Sequence, residues 1–415
     1  MELQEKNLDM HNLSMNHNES PEKNLKNRKK IVFLSFVIKP WNFEKRYFIN
    51  ELIANGFEIE FWDLSIIFNV DIGRISDPSH VKKFESRGFV QNHIEKNKSA
   101  FYVVMFDLEY RFLWVYRLLT KHECKLFFFS SGQFPTIPKT FSQKLLDSLR
   151  SPTRIFHKIF MYIVNRMKMI KKFDIVFFDS NRARELYPGA KQYVAIGSPE
   201  FEEYCRLSRS LTPTEKIVEI SEEKYLVFLD SCLPFNSDPK RNSLQNVDSE
   251  KYRTGILNLF NKIETETGMR IIIAAHPKSN YSSNYFQNRP IIKWKTSQLV
   301  LGAQGVISHY STATNYAVLM KKQIMFICND EFGTLPGARH RMLITSAMAQ
   351  ELQMSFYNMD HLPEEISFFE VKEEIYRKYK ENYVSINDSC ENNNSDIILK
   401  TFLENLPGRE YHASV

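Results

Sequence analysis

Two short stretches of this 415-residue chain hold the side chains best suited to chemistry. In "IIIAAHPKS" a continuous apolar run stops at His276, and Pro277 forbids the strand to continue because it has no N–H to give. An imidazole at such a strand end has two nitrogens able to donate to a phosphate or a leaving oxygen, and its pKa lies near neutrality. Lys278 adds a cation beside it. The plain alternative is a loop histidine bonded to backbone. In "GVISHYSTATNYAVLMKK" the turn after another apolar run carries Ser308, Ser311 and Thr312. Ser311 or Thr312 can cap the helix expected over 312–321, and unpaired N–H groups at a helix start suit a phosphate. Capping without any ligand is the simpler reading.

A general base would be a carboxylate at another strand end. Asp230, closing the run "KYLVFLD", is one candidate and is equally a cap for the backbone that follows it; Asp107 and Asp179 are rivals on the same logic. Lys39, Trp41, Asp107 and Gln133 sit at or just beyond strand ends of the first half, where an acceptor would bind; Trp41 is the best placed aromatic for stacking on a sugar. Phe43 and the run Phe127 to Phe129 read as core. No GxGxxG follows the first strand and no GxxxxGK[ST] occurs, which removes the main support for NAD enzymes and P-loop NTPases. A DxD metal signature is also missing, so a metal-independent reaction with no cofactor is expected, with His and amide donors stabilising a departing phosphate.

These residues need a scaffold of buried parallel strands. "IVFLSFVIKP", "FEIEFWDLS", "SAFYVVMFD", "CKLFFFSSG", "FDIVFFDS" and "QYVAIGS" read as such strands, with a helix over "NFEKRYFINELIANG" ended by Gly56. A second set follows: 224–230, 269–277, 305–308 and 323–330 as strands, with helices near 249–267 and 312–321 and a last helix over 395–406 that crosses back to the first domain. The expected organisation is a polar tail at 1–29, a Rossmann-like acceptor domain at 30–206, a linker at 207–223, a nucleotide-donor domain at 224–390, and a C-terminal helix and tail at 391–415. In open α/β sheets ligands bind off the carboxyl ends of the strands. Two such α/β domains facing across a cleft resemble the glycosyltransferase B fold.

The His276-Pro277 pair and the later Ser/Thr cluster resemble the HP and S-S/T motifs of bacterial sialyltransferases and polysialyltransferases. They are also similar to the C-terminal halves of capsule and lipopolysaccharide transferases and of teichoic-acid glycerophosphotransferases. The resemblance covers mainly residues 224–330. It implies that His276, Pro277, Lys278, Ser308, Ser311 and Thr312 bind the phosphate of a nucleotide donor. An acidic pair followed by Gly, which holds the base in those families, is not matched, and Asp230 is the nearest counterpart.

Hydrophobic residues at 43% and charged residues at 25% describe a globular chain, and 55 Lys+Arg against 49 Asp+Glu does not imply nucleic acid. Five scattered cysteines without a CxxC pair predict neither zinc nor a disulfide framework, and suit a reducing, cytoplasmic compartment. No apolar run is long enough to span a bilayer. The basic amphipathic stretch 155–173 suits peripheral contact with an anionic membrane face, although a packed helix with a solvated basic side explains it more simply. The expected activity is inverting transfer of a sugar from a nucleotide-activated donor, a CMP-linked acidic sugar among the candidates, to a surface polysaccharide or lipid-linked oligosaccharide. The alternatives are a CDP-polyol phosphotransferase of the teichoic-acid type, a nucleotide-sugar epimerase and a non-catalytic glycan-assembly subunit.

Overall fold

The computed structural model describes residues 29–36, 40–70, 80–137, 160, 163–164, 166–167, 169–210, 224–235 and 247–406. Its first sheet has seven parallel strands: β1 (Lys29–Ser35), β2 (Phe57–Asp63), β3 (Val81–Lys83), β4 (Phe101–Val104), β5 (Lys125–Ser130), β6 (Ile175–Phe178) and β7 (Gln192–Ala195). They lie in the order β3-β2-β1-β4-β5-β6-β7. The helices are α1 (Pro40–Arg46), α2 (Ile49–Ala54), α3 (Arg87–Lys96), α4 (Leu113–Lys121), α5 (Asn181–Glu185) and α6 (Pro199–Ser210). Helices cover both faces of such a sheet, which is why β4 and β6 are buried along their whole length and read as unbroken apolar runs.

The second sheet has six strands in the order β10-β9-β8-β11-β12-β13, again parallel throughout. These are β8 (Tyr225–Leu229), β9 (Arg270–Ala275), β10 (Ile291–Lys293), β11 (Gly305–Ser308), β12 (Gln323–Cys328) and β13 (Ser355–Asn358). Helices α7 (Ser249–Thr267), α8 (Thr296–Gly302), α9 (Thr314–Leu319), α10 (Asp330–Thr334), α11 (Pro336–Leu352), α12 (Glu373–Tyr383) and α13 (Asn394–Glu404) complete the chain. Helix α7 starts where Asp248 accepts the amides of Glu250 and Lys251, and stops at Gly268, whose φ of 67° suits a residue without Cβ. The fold class is thus two doubly wound α/β domains, each with its strand order reversing at one point: β1 against β4, and β8 against β11.

Helix α13 does return to the first domain. Ile398 and Phe402 are buried there, Phe402 stacked on Phe127 with ring centroids 4.8 Å apart. Several expectations need correction. The single helix expected after β1 is two, broken where Phe48 takes φ 52°. The edge strands β3, β10 and β13 escape sequence reading because they are short and only partly buried. Helix α6 runs to Ser210, into the segment expected as linker, and 211–223 lie outside the described residues. Nearly half of 155–173 also lies outside them; of the described part, Val164 and Ile170 are buried in the core and Lys171 pairs with Asp174 at 2.7 Å, as in a packed segment.

The cysteine expectation is overturned. Cys205 on α6 and Cys390, just before α13, form a disulfide. The pair is 185 residues apart in sequence, so spacing carries no trace of it. Its existence removes the ground on which a reducing compartment was inferred. Cys124, Cys232 and Cys328 are free and buried. Among the described residues no helix is long and apolar enough to cross a membrane.

Candidate functional site

A cleft of about 920 Å³ lies between the two domains, at the carboxyl ends of strands from both sheets. The second domain contributes Pro277, Trp294, Thr296, Ser297 and Thr312 to its walls; the first contributes Arg46, Ser131, Gly197, Glu200, Glu203 and Arg206, among others. Pro277 and Thr312, the expected donor-side residues from two different crossovers, therefore open onto one cavity.

On the second domain, β8 lies between β9 and β11, so the two loops flank the end of β8 rather than touching along one edge. Asp230 at that end is almost completely buried. Its carboxylate accepts the amides of Cys232 at 2.8 Å and His276 at 3.0 Å and the hydroxyl of Tyr281 at 3.0 Å. Burial raises its pKa, opposed by those three donors and by the nearby His276. With three donors it resembles a strand-end cap that positions His276, and it is not among the residues lining the cleft. Ser231 next to it donates to the carbonyl of Tyr310 at 3.4 Å, tying the β11 loop to the same end.

His276 is half-buried and, unlike its neighbour Pro277, is not among the residues lining the cleft. Its Nδ1 accepts the amide of Lys278 at 3.1 Å, which places the proton of the neutral ring on Nε2. Lys278 itself is exposed. The other hydroxyls depart from expectation. Ser308 is fully buried, its hydroxyl donating to the carbonyl of His309 at 2.6 Å and 3.0 Å from the hydroxyl of Thr314, and it is not among the residues lining the cleft. Ser311 accepts the amide of Ala313 at 3.2 Å, while the amides of Thr314 and Asn315 go to the carbonyls of Ser311 and Thr312. The helix begins at Thr314 rather than 312, with Ala313 in the cap position, and these amides are used within the turn. The amides of Ala313, Thr314 and Asn315 are therefore not free to join the expected cradle. Thr312 is exposed and turned to the cleft.

His309 is a core residue. Its Nδ1 donates to the carbonyl of Ile327 at 2.8 Å and its Nε2 accepts the hydroxyl of Tyr252 at 2.8 Å. Burial lowers its pKa to about 3, which keeps it neutral. The imidazole in this turn thus ties β11 to β12 and α7.

On the first domain the decisive residue is Glu200, which the sequence did not single out. "GSPE" reads as an ordinary helix start: Ser198 accepts the amide of Phe201 at 3.1 Å, Pro199 opens α6, and an acidic residue follows. The turn before it is held tightly. Asn394 donates to the carbonyl of Gly197 at 2.8 Å and accepts its amide at 2.7 Å, and a Cβ on Gly197 would lie 2.6 Å from the Phe201 ring. Glu200 lines the cleft with Thr312 of the second domain, whose hydroxyl interacts with its carboxylate. Burial raises its pKa, offset in part by its own amide, Thr312, Arg46 and Ser198. Asp179, just after β6, is fully buried; Oδ2 accepts the amide of Gly132 at 3.0 Å and Oδ1 has no hydrogen-bond partner among the described residues. Burial pushes its pKa up to about 7.

The acceptor-side expectations fare unevenly. Lys39 lies outside the described residues; Trp41 is within α1. Asp107 accepts the hydroxyl of Tyr187 and is not in the cleft wall. Gln133 is half-buried in the loop after β5, beside Phe134, whose ring meets Tyr310 of the second domain at 6.0 Å. The serine of that loop nearest the cleft is Ser131, which accepts from Arg46 at 2.7 Å.

No protein-family model and no curated protein matches the chain. Among solved structures it is similar to the wall teichoic acid polymerase TagF, at 15% identity and a TM-score of 0.49 over 92% of both chains. It is also similar to CalG4, the calicheamicin glycosyltransferase, at 9% identity and a TM-score of 0.44, over 90% of this chain and 92% of that one. A UDP-GlcNAc 2-epimerase from Methanocaldococcus jannaschii has 10% identity and a TM-score of 0.43, over 91% of this chain and 99% of the other. Likeness at this level carries no argument about chemistry, which rests on the residues above.

Proposed function

We propose that the chain is a transferase that moves a group from a nucleotide-activated donor to an acceptor hydroxyl in the interdomain cleft. The observation that carries this reading is the contact between Glu200 of the first domain and the Thr312 hydroxyl of the second, on one cavity with Pro277. A carboxylate whose pKa burial raises, on the wall of the same cavity as a hydroxyl of the other domain, is placed as a general base is. On the other side His276, next to the cleft-lining Pro277, is the group this reading assigns to donate its Nε2–H to the departing phosphate. Attack of the acceptor oxygen breaks the donor's bond to phosphate oxygen, Glu200 takes the alcohol's proton, and the negative charge leaves on the nucleotide. Asp230 acts through His276 by holding its amide, as a positioning residue.

The resemblance of the His276-Pro277 stretch to sialyltransferase and glycerophosphotransferase motifs supports a glycosyl donor first and a CDP-polyol donor second. Consumption of CMP-, UDP- and GDP-sugars and of CDP-glycerol by the full chain separates the two. Glu200→Gln is expected to lower turnover of the accepted donor by about 10²–10⁴-fold, the range of general-base catalysis, with folding intact. Unchanged turnover in that variant would remove Glu200 from the chemistry.

A further inference from the structure

The turn that carries Glu200 is held by a part of the chain far from it in sequence. Helix α6 leads out of the first domain, and residues 384–393 lead back towards it, from α12 to α13. The Cys205–Cys390 disulfide fastens these two passages to each other. One helical turn beyond Cys205, Arg209 donates to the carbonyl of Cys390 and to the side chain of Asn393. Four residues on from Cys390, the Asn394 side chain accepts the amide of Gly197 at 2.7 Å and donates to its carbonyl at 2.8 Å. The amide of Asn394 itself donates to the Glu202 carboxylate at 3.1 Å. Pro199, Glu200, Asn393 and Asn394 all line the cleft.

Packing does not hold this segment. It is anchored upstream where Ile386 donates its amide to the carbonyl of Asp179 at 2.9 Å, and downstream by Ile398 and Phe402 in the core of the first domain. Between these anchors, residues 387–393 read NDSCENN and bury no side chain completely. What fastens them is hydrogen bonds and one covalent link. A cross-link in the middle of such a segment removes most of its freedom to leave, and without it the segment can open as a local unit while the core stays folded. The two sulfurs differ in access: Cys205 is buried and Cys390 half-buried, so a thiol in solution meets the bond from the Cys390 side. Because the Gly197 amide donates to Asn394, its exchange with solvent reports whether the segment is closed.

We infer that residues 390–394 clamp the turn that carries Glu200, and that the Cys205–Cys390 disulfide is the thiol-sensitive lock of that clamp. A thiolate of an external dithiol attacks Sγ of Cys390; the bond to Cys205 breaks, and Cys205 leaves as a thiolate that takes up a proton. The second thiol of the reagent then displaces Cys390 as a thiol, so the protein gains two electrons and two protons and the dithiol becomes its own disulfide. With the lock open, Asn394 releases Gly197 and Glu200 loses its fixed position. The inference rests on the transferase reading for the role of Glu200 as base. Hydrogen–deuterium exchange of the full chain, oxidised and after dithiothreitol without denaturant, tests it. The peptide over 196–204 is expected to exchange about tenfold or more faster after reduction, with peptides over β8 and β9 still protected on that timescale. The double variant Cys205→Ser, Cys390→Ser should exchange at the reduced rate with or without dithiothreitol, and Asn394→Ala should do so with its disulfide intact. In a chain that turns over a donor, kcat should fall on reduction with KM little changed, and recover when glutathione disulfide restores the bond. The inference is overturned if 196–204 exchanges equally in both states, if β8 and β9 lose protection together with it, or if kcat is indifferent to the bond. Faster exchange at 196–204 in a chain that turns over no donor would keep the clamp and defeat the transferase reading.

Discussion

The two rims that face each other across the cleft are built on the same fold and held in opposite ways. On the second domain every polar group that matters is engaged: Asp230 takes three donors, His309 uses both nitrogens, and Ser308 lies between two oxygens. On the first domain Asp179 keeps a carboxylate oxygen with no hydrogen-bond partner among the described residues, and Glu200 interacts with Thr312 of the other domain, with Arg46 and with groups at the start of its own helix. One rim is fixed by its hydrogen bonds. Burial raises a carboxyl pKa on both sides, but Asp230 is answered by three donors while Asp179 leaves one oxygen unpartnered among the described residues. A site that must hold one substrate still while moving a proton from another needs both kinds of rim, since an orienting group works by being rigid and a base by having a tuned pKa.

Breaking the comparison should therefore give unequal results. The largest effect is expected from Asp230→Ala, which strands the amides of His276 and Cys232 and the Tyr281 hydroxyl; a loss of about 3–5 kcal/mol is expected in urea unfolding. Glu200→Gln on the opposite rim should leave stability within about 0.5 kcal/mol while abolishing most turnover. Equal destabilisation by the two would erase the distinction drawn between the rims. Next in size is the Cys205–Cys390 link, which fastens α6 to the segment that leads into α13. Replacing both cysteines by Ser, or adding a dithiol reductant, should lower stability by about 2–4 kcal/mol.

The pH dependences should have opposite signs. His309 has a folded pKa of about 3, below its ordinary value of 6.5. The unfolded chain therefore takes up the proton first, and the stability tied to this residue is lost as pH falls from about 6.5 towards 3. Asp179 has a folded pKa of about 7, above its ordinary 3.8. The stability tied to it is present below about 3.8 and is lost as pH rises through 7. Asp179→Asn should thus stabilise the protein at pH 8 relative to wild type, by about 1 kcal/mol, and do little at pH 3.5. A destabilised Asp179→Asn variant at pH 8 would contradict the buried-acid reading.

Much of this architecture was legible because parallel strands covered on both faces must be continuously apolar. β6, β8, β9 and β11 have that texture over most of their length, and it marks their ends, beyond which Asp179, Asp230, His276 and Thr312 stand. What sequence could not supply was the direction of a side chain at such an end. Ser308 and Thr312 are both hydroxyls of one turn, yet the first closes onto its own backbone and the second opens to the cleft. Glu200 was hidden by being an ordinary first-turn acid. The disulfide joins residues brought together only by the return of α13.

The central claim is that the fixed rim holds a nucleotide through His276. Calorimetric titration of CMP, CDP, UDP and GDP into wild type and His276→Ala tests it most directly. The account predicts that one of these nucleotides binds the wild type and binds His276→Ala about tenfold more weakly, the cost of one charge-assisted hydrogen bond. Equal affinity in both proteins, or no binding to the wild type, would contradict it.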